Sequence, residues 1–309
     1  MIELPFEAVV VTYQSAQYVR PCLSSFHNAA SIVVVDNDSQ DGTCDIIANE
    51  FPGVRLISAA ANLGYGKALN LGISQTSSPI VVAANADTIF TEGALETLAK
   101  FMRGHPRVGV AGPQQLFPDG SWQRSYGDVH GLCEGFKDLA GVTSIAQTAR
   151  RLFWRRIPRG PARAVGYIDG AVMMIRREAF DRFGGFDEAF HYYAEDADFS
   201  LRLRQAGWKV THVPTACVIH VRGGSSTRVE GYSDKLLRAQ VTAKCQFIRK
   251  HRPGWHLRLY RRISILHARK MGWIYRILQI VGPRRYATHA SLMASAFERW
   301  ATLLSKAQS

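Results

Sequence analysis

The sequence lacks paired cysteines. Its five cysteines are scattered, odd in number and without a CxxC pair: Cys22, Cys44, Cys133, Cys217 and Cys245. Disulfide frameworks and zinc sites built from cysteine depend on cysteines at characteristic spacing, so neither is predicted. We interpret the five as reduced thiols, which are typical of a cytoplasmic protein.

Long hydrophobic runs are also missing. No apolar run reaches the about 18 residues that a membrane-spanning helix needs. The opening MIELPFEAVVVTY has no basic stretch followed by a long apolar one, so no signal peptide is predicted. We expect a protein that does not cross a membrane but can bind to its surface.

Acidic residues are in deficit. The 309 residues include 38 Lys and Arg against 25 Asp and Glu, which gives a formal net charge of +13. Such an excess favours a polyanionic partner: nucleic acid, an acidic membrane face or the phosphates of a substrate. With 47% apolar residues, the chain can still bury a sizeable core.

The N-terminal part alternates short apolar runs with amphipathic stretches. Runs of strand length occupy residues 7–11, 32–35, 54–57 and 80–83, and helix-like stretches occupy residues 18–27, 42–50, 67–75 and 93–102. This alternation predicts an α/β fold with a mainly parallel sheet flanked by helices. In such a sheet, ligands bind where the carboxyl ends of the strands open into loops.

The later part is less regular. Residues 104–166 are rich in Gly and Pro and are interpreted as a loop or lid, with six arginines and no acid in residues 150–163. Strands are predicted at residues 167–175 and 209–213, and helices at residues 177–183 and 198–206. From about residue 232 the pattern is helical, with breaks near Pro253 and Pro283.

Two motifs at predicted strand ends could contact a nucleotide. Asp36 comes just after the predicted strand in IVVVDND and can accept hydrogen bonds from a base or a ribose, although a capping turn is the simpler explanation. In NLGYGKALN, Gly64 and Gly66 precede a helix, so that backbone amides and Lys67 can approach a phosphate. A simple tight turn explains the two glycines equally well.

Candidate metal ligands lie at two further strand ends. Asn85 and Asp87 in ANADT can present oxygen atoms to Mg²⁺ or Mn²⁺, although they can also cap a helix. His220 in VIHVR can be a metal ligand or a phosphate contact. A lone histidine is more often structural, so this motif depends on its neighbours.

Acidic residues cluster among aromatic ones in residues 183–208, FGGFDEAFHYYAEDADFSLRLRQAGW. Aromatic surroundings raise the pKa of a carboxyl group, which suits a general base. Asp198 and Arg202 are four residues apart and are predicted to pair, so Asp196 or Glu195 is the candidate base. The alternative is an acidic helix start without catalytic function.

Taken in order, these motifs resemble glycosyltransferase family 2, which has a GT-A fold. The matching pieces lie within residues 6–230 and read VVTYQS, VVVDNDSQDGT, ANLGYGKALN, ANADT and YAEDADFSLRLRQAGW followed by IH. Each piece is weak alone, and their order and spacing together are specific. The stretch GYIDGAVMMIRREAFDRFGGFDEAF looks like bacterial rhamnosyltransferase-like members.

The resemblance implies roles for the matching positions. The set that would bind the nucleotide-sugar is Thr12, Tyr13, Asp36, Asn62, Gly64, Lys67 and Asn85, with the first two lining the base pocket. Asp87 and His220 would hold the divalent metal, and Asp196 would be the catalytic base with Glu195 beside it. The family often has Asp where this sequence has Asn85, which reduces the charge offered to a metal.

The resemblance also implies a reaction. Family members transfer a sugar in one displacement that inverts its configuration. The implied donor is dTDP-rhamnose, with UDP- or GDP-linked sugars as alternatives. The implied acceptor is a hydroxyl of a lipid-linked or polysaccharide substrate in cell-envelope glycan biosynthesis.

The C-terminal part is strongly basic. We predict a catalytic domain over residues 1–231 and a basic, mainly helical extension over residues 232–309. Residues 244–286 contain twelve Lys or Arg and no Asp or Glu, with apolar and aromatic residues between them. This favours a helix on an anionic membrane, at the inner face of the cytoplasmic membrane. The alternative is a helical appendage that packs on the catalytic domain.

Other function classes are less well supported. The basic charge favours a nucleic-acid-binding protein, but no helix-turn-helix, zinc-finger or RNP signature is present, and no nucleic-acid partner is expected. The missing GxGxxG fingerprint disfavours a dehydrogenase. An inactive glycan-binding relative is disfavoured because Asp87, Glu195 and Asp196 are present.

Overall fold

In the computed structural model, the described residues are 6–27, 29–142, 160–221, 233–282 and 287–307. They divide into two compact units. The first unit contains the described residues up to Val129 and residues 160–221, and the second contains residues 130–142 with the described residues from 233 onward. The domain boundary at residue 231 stays a prediction, and the structure groups residues 130–142 with the C-terminal helices.

The first four strands and three helices alternate along the chain as predicted. The strands are β1 (Phe6–Thr12), β2 (Ile32–Asp36), β3 (Arg55–Ser58) and β4 (Ile80–Asn85). The helices are α1 (Val19–Ser24), α2 (Thr43–Glu50) and α3 (Tyr65–Ser74). The strands pair in parallel in the order β3-β2-β1-β4, because each helix carries the chain back to the edge where the previous strand began.

The sheet continues through strands from later in the chain. These are β5 (Thr88–Phe90), β6 (Val108–Leu116), β7 (Trp122–Gln123), β9 (Arg163–Ala164), β11 (Val172–Arg176) and β12 (Lys209–His220). From β4 the order is β4-β11-β6-β12-β5, with β7 on β6 and β9 on β12. The β6–β12 pair is parallel and β11 is antiparallel to both neighbours. The predicted mainly parallel α/β sheet is confirmed, with antiparallel strands added.

The prediction that residues 104–166 form a loop or lid is wrong for their first part. All nine residues of β6 are buried, in the middle of the sheet. Local sequence patterns do not reveal this strand, because VGVAGPQQL contains Gly and Pro, which are rare in strands. A side chain at Gly112 would overlap Ile168, so the glycine here makes room for packing. The arginine-rich segment falls mostly in residues 143–159, outside the described residues.

Alternate residues of the central strands supply the two faces of the core. Ala8 and Val10 face a cluster that includes Val19 of α1 and Leu98 of α4 (Ala94–Gly104). Val9 and Val11 face the opposite cluster, which includes Leu69 and Ile73 of α3. Helices therefore cover both faces of the sheet, as the near-continuous apolar runs require. On the second face lie also α6 (Arg177–Arg182) and α7 (Glu195–Gln205).

Two predicted element boundaries differ from the structure. Helix α7 begins at Glu195, three residues before the predicted start, so both candidate bases lie in its first turn. Strand β12 continues from Lys209 to His220 through an irregularity between Val213 and Cys217. A short separate pair, β8 (Tyr126–Gly127) with β10 (Tyr167–Ile168), precedes Gly170 at the entry to β11.

The second unit is helical, as predicted for its C-terminal part. Its helices are α5 (Leu132–Leu139), α8 (Asp234–His251), α9 (Gly254–Val281) and α10 (Ala287–Lys306). Ser233 caps α8 by accepting a hydrogen bond from the backbone N–H of Leu236. Pro253 separates α8 from α9, which confirms the predicted break. None of the helices in the described ranges is both long and apolar enough to span a bilayer.

Substitution of Gly72 tests the packing of α3 on the sheet. A Cβ atom at this position would overlap Val9 and lie 3.0 Å from a methyl group of Val35. The free-energy cost of overpacking the core is larger than the stabilisation that alanine gives a helix. Gly72→Ala should therefore lower the free energy of unfolding, measured in urea titrations, by about 1–2 kcal/mol. The matched control is Gly104→Ala, where an added Cβ meets no atom within 4 Å. If both variants unfold at the same urea concentration, this packing account is wrong.

Candidate functional site

The candidate site residues meet at one edge of the sheet. The parallel register places Thr12 beside Asp36 and Val11 beside Asn85, at the carboxyl ends of β1, β2 and β4. Strand β11 begins at the same edge, because the backbone N–H of Asn85 donates to the carbonyl of Ala171 at 2.9 Å. The edge therefore combines residues from strands that are distant in sequence.

Asp36 is buried and holds the loop after β2. Its side chain is 1% exposed and accepts hydrogen bonds from the Thr12 hydroxyl at 2.6 Å and from both the backbone N–H and the hydroxyl of Ser39. Three donors stabilise a buried carboxylate. Asp36 thus fixes the positions of Thr12 and Ser39 beside it, and its contact with a base or ribose stays a prediction.

The loop after β1 is tied to the loop after β2. The backbone N–H groups of Gln14, Ser15 and Ala16 donate to the side chains of Ser39, Thr43 and Asp41 respectively, at 2.8–2.9 Å. The ring of Tyr13, which begins this loop, is 38% exposed. An exposed aromatic ring on a loop fixed in this way suits the predicted base pocket, because stacking requires an accessible and rigid face.

The glycine loop before α3 is held by asparagine side chains and packs under the 186–194 segment. Asn62 Oδ1 accepts from the Gly64 N–H at 2.9 Å, and the buried Asn37 amide bonds to Leu63 and Gly64. Gly64 has φ +82° and a Cβ there would lie 2.5 Å from the carbonyl oxygen of His191. Close packing therefore explains this glycine.

The charge of Lys67 is not fully available for a phosphate. Its ammonium lies 3.6 Å from the carboxylate of Glu188, and both side chains are about half exposed. An exposed pair of this kind contributes little stability and exchanges easily. The phosphate contact of Lys67 therefore stays a prediction.

Asp87 and His220 lie together at the next part of the edge. The Nε2 atom of His220 is 3.4 Å from Oδ1 of Asp87, and both side chains are largely buried. The Nδ1 atom of His220 is 3.0 Å from Oε1 of Gln115 and 2.7 Å from Oε1 of Gln123. Two oxygen acceptors require a hydrogen on Nδ1, so the neutral ring has its lone pair on Nε2, toward Asp87.

These residues fit a divalent cation that is shared with a substrate. Among the described residues, no group of three or more His, Cys, Asp or Glu side chains can hold a metal ion. Mg²⁺ and related ions are commonly bound by one or two protein groups together with substrate phosphates and water. Asp87 and the Nε2 lone pair of His220 supply such a pair, with half-buried Asn85 nearby in sequence at the end of β4.

Asp196 and Glu195 occupy the first turn of α7 but have different surroundings. Asp196 is half-buried, and its two oxygens accept from the backbone N–H groups of Gly170 at 2.9 Å and Ala197 at 2.7 Å. Glu195 is 6% exposed, and within the described residues its Oε2 has no hydrogen-bond partner. The hydroxyl of Tyr65 donates to the carbonyl of Gly170, which fixes the turn that contacts Asp196.

Burial raises the pKa of both carboxyl groups. For Asp196 the charge of Asp169 raises the pKa further, and for Glu195 the charge of Asp196 does so. Two adjacent acids of this kind do not both ionise readily. The backbone N–H groups of Gly170 and Ala197 stabilise the Asp196 anion, whereas the Glu195 carboxyl has a backbone hydrogen bond only from its own residue and its Oε2 has no partner in the described residues. We therefore assign the negative charge to Asp196 and the retained proton to Glu195.

Asp198 is a structural acid, as the sequence spacing predicts. It is fully buried and accepts from Nε of Arg202 at 2.8 Å. Arg202 also donates to the carbonyls of Phe183 and Gly185. The predicted Asp198–Arg202 ion pair is confirmed, although Asp198 is buried and the pair does not lie on the helix surface as expected; the Arg202 bonds join α7 to the segment before it.

Sequence reasoning missed the residues that support this edge. They are Asn37, Tyr65, Gln115, Gln123 and Gly170, and each acts by a hydrogen bond to a candidate residue or its loop. The signal for Gln115 was two consecutive amides, Gln114 and Gln115, after an apolar run in a stretch interpreted as a loop, whereas Gln123 in SWQRSYG has no such local signal. Their function depends on the pairing of β6, β7 and β12, which no local pattern shows.

Comparisons with known proteins identify the family. The sequence model of glycosyl transferase family 2 matches residues 7–184, and that of glycosyl transferase family 21 matches residues 160–241. The chain is 33% identical over 245 residues to an N-acetylglucosaminyl-diphospho-decaprenol L-rhamnosyltransferase of Mycobacterium tuberculosis, over 71% of this chain and 77% of that protein.

Solved structures show the same fold. A mannosyltransferase from Pyrobaculum calidifontis, in complex with GDP-Man and Mn²⁺, matches 98% of this chain and 88% of its own with a TM-score of 0.59 and 16% identity. The crystal structure of GalNAc-T7 with UDP, GalNAc and Mn²⁺ matches 99% of this chain and 57% of its own, with a TM-score of 0.60 and 15% identity. These likenesses confirm the GT-A fold.

The resemblance read from the motifs is thus confirmed by a family match over more than half of the chain and by a relative of similar length. The protein is a glycosyltransferase, and its chain belongs to glycosyl transferase family 2.

Proposed function

We propose that the protein transfers L-rhamnose from dTDP-rhamnose to a hydroxyl of a lipid-linked or polysaccharide acceptor in cell-envelope glycan biosynthesis, with inversion of configuration. The mycobacterial relative, whose name describes an L-rhamnosyltransferase for a lipid diphosphate acceptor, supports the sugar and the acceptor class. The observation that carries the proposal is the placement of Asp196 and of the Asp87–His220 pair on one sheet edge. A UDP- or GDP-linked donor is the alternative.

Asp196 is the general base of the proposed reaction. Its carboxylate takes the proton of the acceptor hydroxyl as that oxygen attacks the anomeric carbon. The backbone donors from Gly170 and Ala197 hold the carboxylate in position. Glu195 stays protonated beside it and leaves the negative charge on one group.

The leaving diphosphate is held at the neighbouring part of the edge. Asp87 and His220 would hold Mg²⁺ or Mn²⁺, and a bound divalent ion neutralises the charge that develops on the departing diphosphate. Gln115 and Gln123 keep the lone pair of His220 on Nε2. Two of the solved structures with this fold contain Mn²⁺, which supports the choice of ion.

The nucleotide portion binds at the carboxyl ends of β1 and β2. Tyr13 and Thr12 border the base, Asp36 contacts the base or ribose, and Asn62, Gly64, Lys67 and Asn85 extend along the donor. The fixed loops after β1 and β2 support this assignment, because they present the pocket without a large ordering cost.

We place the reaction at an anionic membrane surface, at the inner face of the cytoplasmic membrane. The relative's lipid-linked acceptor and the basic C-terminal helices support this location. Binding is peripheral in this proposal.

Conservative substitution of the two acids separates their roles. Asp196→Asn should lower kcat by at least about 100-fold, because an amide cannot take the acceptor proton, while donor affinity is retained. Glu195→Gln keeps the neutral form and should cost less. A steady-state assay with donor titration measures both values, with Asp181→Asn on the exposed side of α6 as the control. The opposite order of the two losses would assign the base to Glu195.

The pH profile follows from the same assignment. The base must be ionised, and burial raises the pKa of Asp196. Activity should therefore fall as pH falls through that raised pKa, at a higher pH than the about 3.9 of an ordinary aspartate allows. In the Asp196→Asn variant this acidic limb of the kcat/KM profile should be absent.

Metal affinity tests the two glutamines. Either Gln115→Met or Gln123→Met leaves His220 Nδ1 one acceptor, so Mn²⁺ affinity should change little in each single variant. The double variant removes both acceptors and should weaken Mn²⁺ binding by about 10–100-fold, measured by calorimetry with dTDP present. Thermal unfolding of each variant controls for misfolding. Equal Mn²⁺ affinity in the wild type and a folded double variant would contradict this account.

The donor is tested by thermal shift. dTDP-rhamnose with Mn²⁺ should raise the melting temperature more than UDP- or GDP-sugars, because a ligand that binds only the folded state stabilises it. A response to uridine nucleotides alone would overturn the rhamnosyl assignment and leave the family assignment intact.

A further inference from the structure

Helix α9 of the second unit has an exposed apolar line along its length. The line is formed by large side chains that are 36–83% exposed: Trp255, Leu266, Trp273, Ile277 and Ile280. Their spacings of 11, 7, 4 and 3 residues are each close to a whole number of helical turns, so they lie on one face. From Trp255 to Ile280 the line is about 37 Å long at 1.5 Å per residue.

The opposite face of α9 packs within its own unit. Its buried residues are Leu257, Tyr260, Ile263, Ser264, Ala268 and Gly272, which lie on the other side of the helix by the same periodicity. Helix α9 therefore has one face that packs against neighbouring helices and a second apolar face that is exposed to solvent. Single exposed apolar residues are ordinary, whereas five on one helix face, four of them within residues 266–280, are not.

An arginine line runs beside the apolar line. Arg258, Arg262, Arg269 and Arg276 are exposed and are separated by 4, 7 and 7 residues, so they also follow one side of the helix. Three of them come three residues after an exposed apolar residue, next to it on the surface. Arg276 pairs with Glu298 at 2.6 Å, and α9 itself contains no Asp or Glu.

This combination matches the surface of an anionic bilayer. Tryptophan and aliphatic side chains enter the region between headgroups and acyl chains, while neighbouring arginines contact anionic headgroups. Contact between two copies of this face would bring two arginine lines together, which is unfavourable. Both lines run parallel to the helix axis, as required of a helix that lies in the plane of a membrane.

We infer that the face of α9 formed by Trp255, Leu266, Trp273, Ile277 and Ile280 and its adjacent arginines is the membrane-docking surface of this protein. The inference rests on the membrane location in the proposed function and names the surface that provides it. The partner is a bilayer that contains anionic phospholipid.

Vesicle flotation of the full chain tests the surface. Wild-type protein should float with vesicles of phosphatidylcholine and phosphatidylglycerol, and much less with phosphatidylcholine alone. Trp273→Ser with Ile280→Ser should lower partitioning to the anionic vesicles at least about tenfold. The double substitution removes two large apolar side chains that would otherwise be buried in the bilayer. The matched control is Leu278→Ser with Leu292→Ser, which removes two exposed apolar side chains outside the line.

A charge pair provides the second arm. Arg262→Gln with Arg269→Gln should lower anionic partitioning about tenfold at low salt. Lys235→Gln with Arg238→Gln removes the same charge from exposed positions of α8 and should have a much smaller effect. Circular dichroism and melting temperature establish that each variant is folded. One folded double variant together with its folded control is sufficient for the test.

The outcomes are distinct. If the wild type does not float with anionic vesicles, the membrane location fails together with this surface, while the transfer reaction is untouched. If the wild type floats and the line variants float as well as their controls, only this surface is wrong. If the line variants instead abolish self-association in size-exclusion chromatography without changing flotation, the face joins two copies and the inference is overturned.

Discussion

The parallel register between β1 and its neighbours β2 and β4 is the constraint on which the catalytic unit depends. It sets Thr12 beside Asp36 and Val11 beside Asn85, so the strand ends form one continuous edge. A shift of one residue would turn the alternate core residues, such as Val9 and Val10, to the wrong faces. The two hydrophobic clusters that pack on the sheet therefore stabilise this register. They thereby also maintain the distances between the site residues at the strand ends. Stability and site geometry are linked at these strands.

Acidic residues are concentrated at the site, although the chain as a whole is strongly basic. A protein with a net charge of +13 places Asp169 and Asp196 close enough to raise the pKa of Glu195, and the charge of Asp169 also raises the pKa of Asp196. The arrangement is unfavourable for three full charges, and a retained proton on Glu195 relieves it. Backbone donors at Gly170 and Ala197 then decide which carboxyl group stays ionised. Burial raises the pKa of both groups, so the assignment of the base follows from hydrogen bonding.

Much of the fold and part of the site could be predicted from the sequence. The β-branched runs ending in Asp36 and Asn85 are local signals, and they fixed the early strands and the edge where they end. Strand β6 was missed because Gly112 and Pro113 serve packing and register, which a local pattern does not reveal. Gln115 and Gln123 reach His220 only after β6, β7 and β12 have paired. The start of α7 was placed late because aromatic and acidic residues obscure its helical period.

The grouping of α5 with the C-terminal helices affects how the protein can be divided. Gly135 packs against Ile263 and Tyr260 of α9, and Glu134 accepts from Lys244 of α8. The polypeptide therefore enters the helical unit, returns to the sheet and enters again, so the unit is discontinuous in sequence. A truncation at residue 231 would leave α5 without the partners that bury its inner side. Because residues 130–142 belong to the helical unit, a cut at one position of the chain does not separate the two units. A catalytic fragment would have to omit or replace residues 130–142 as well as the C-terminal helices.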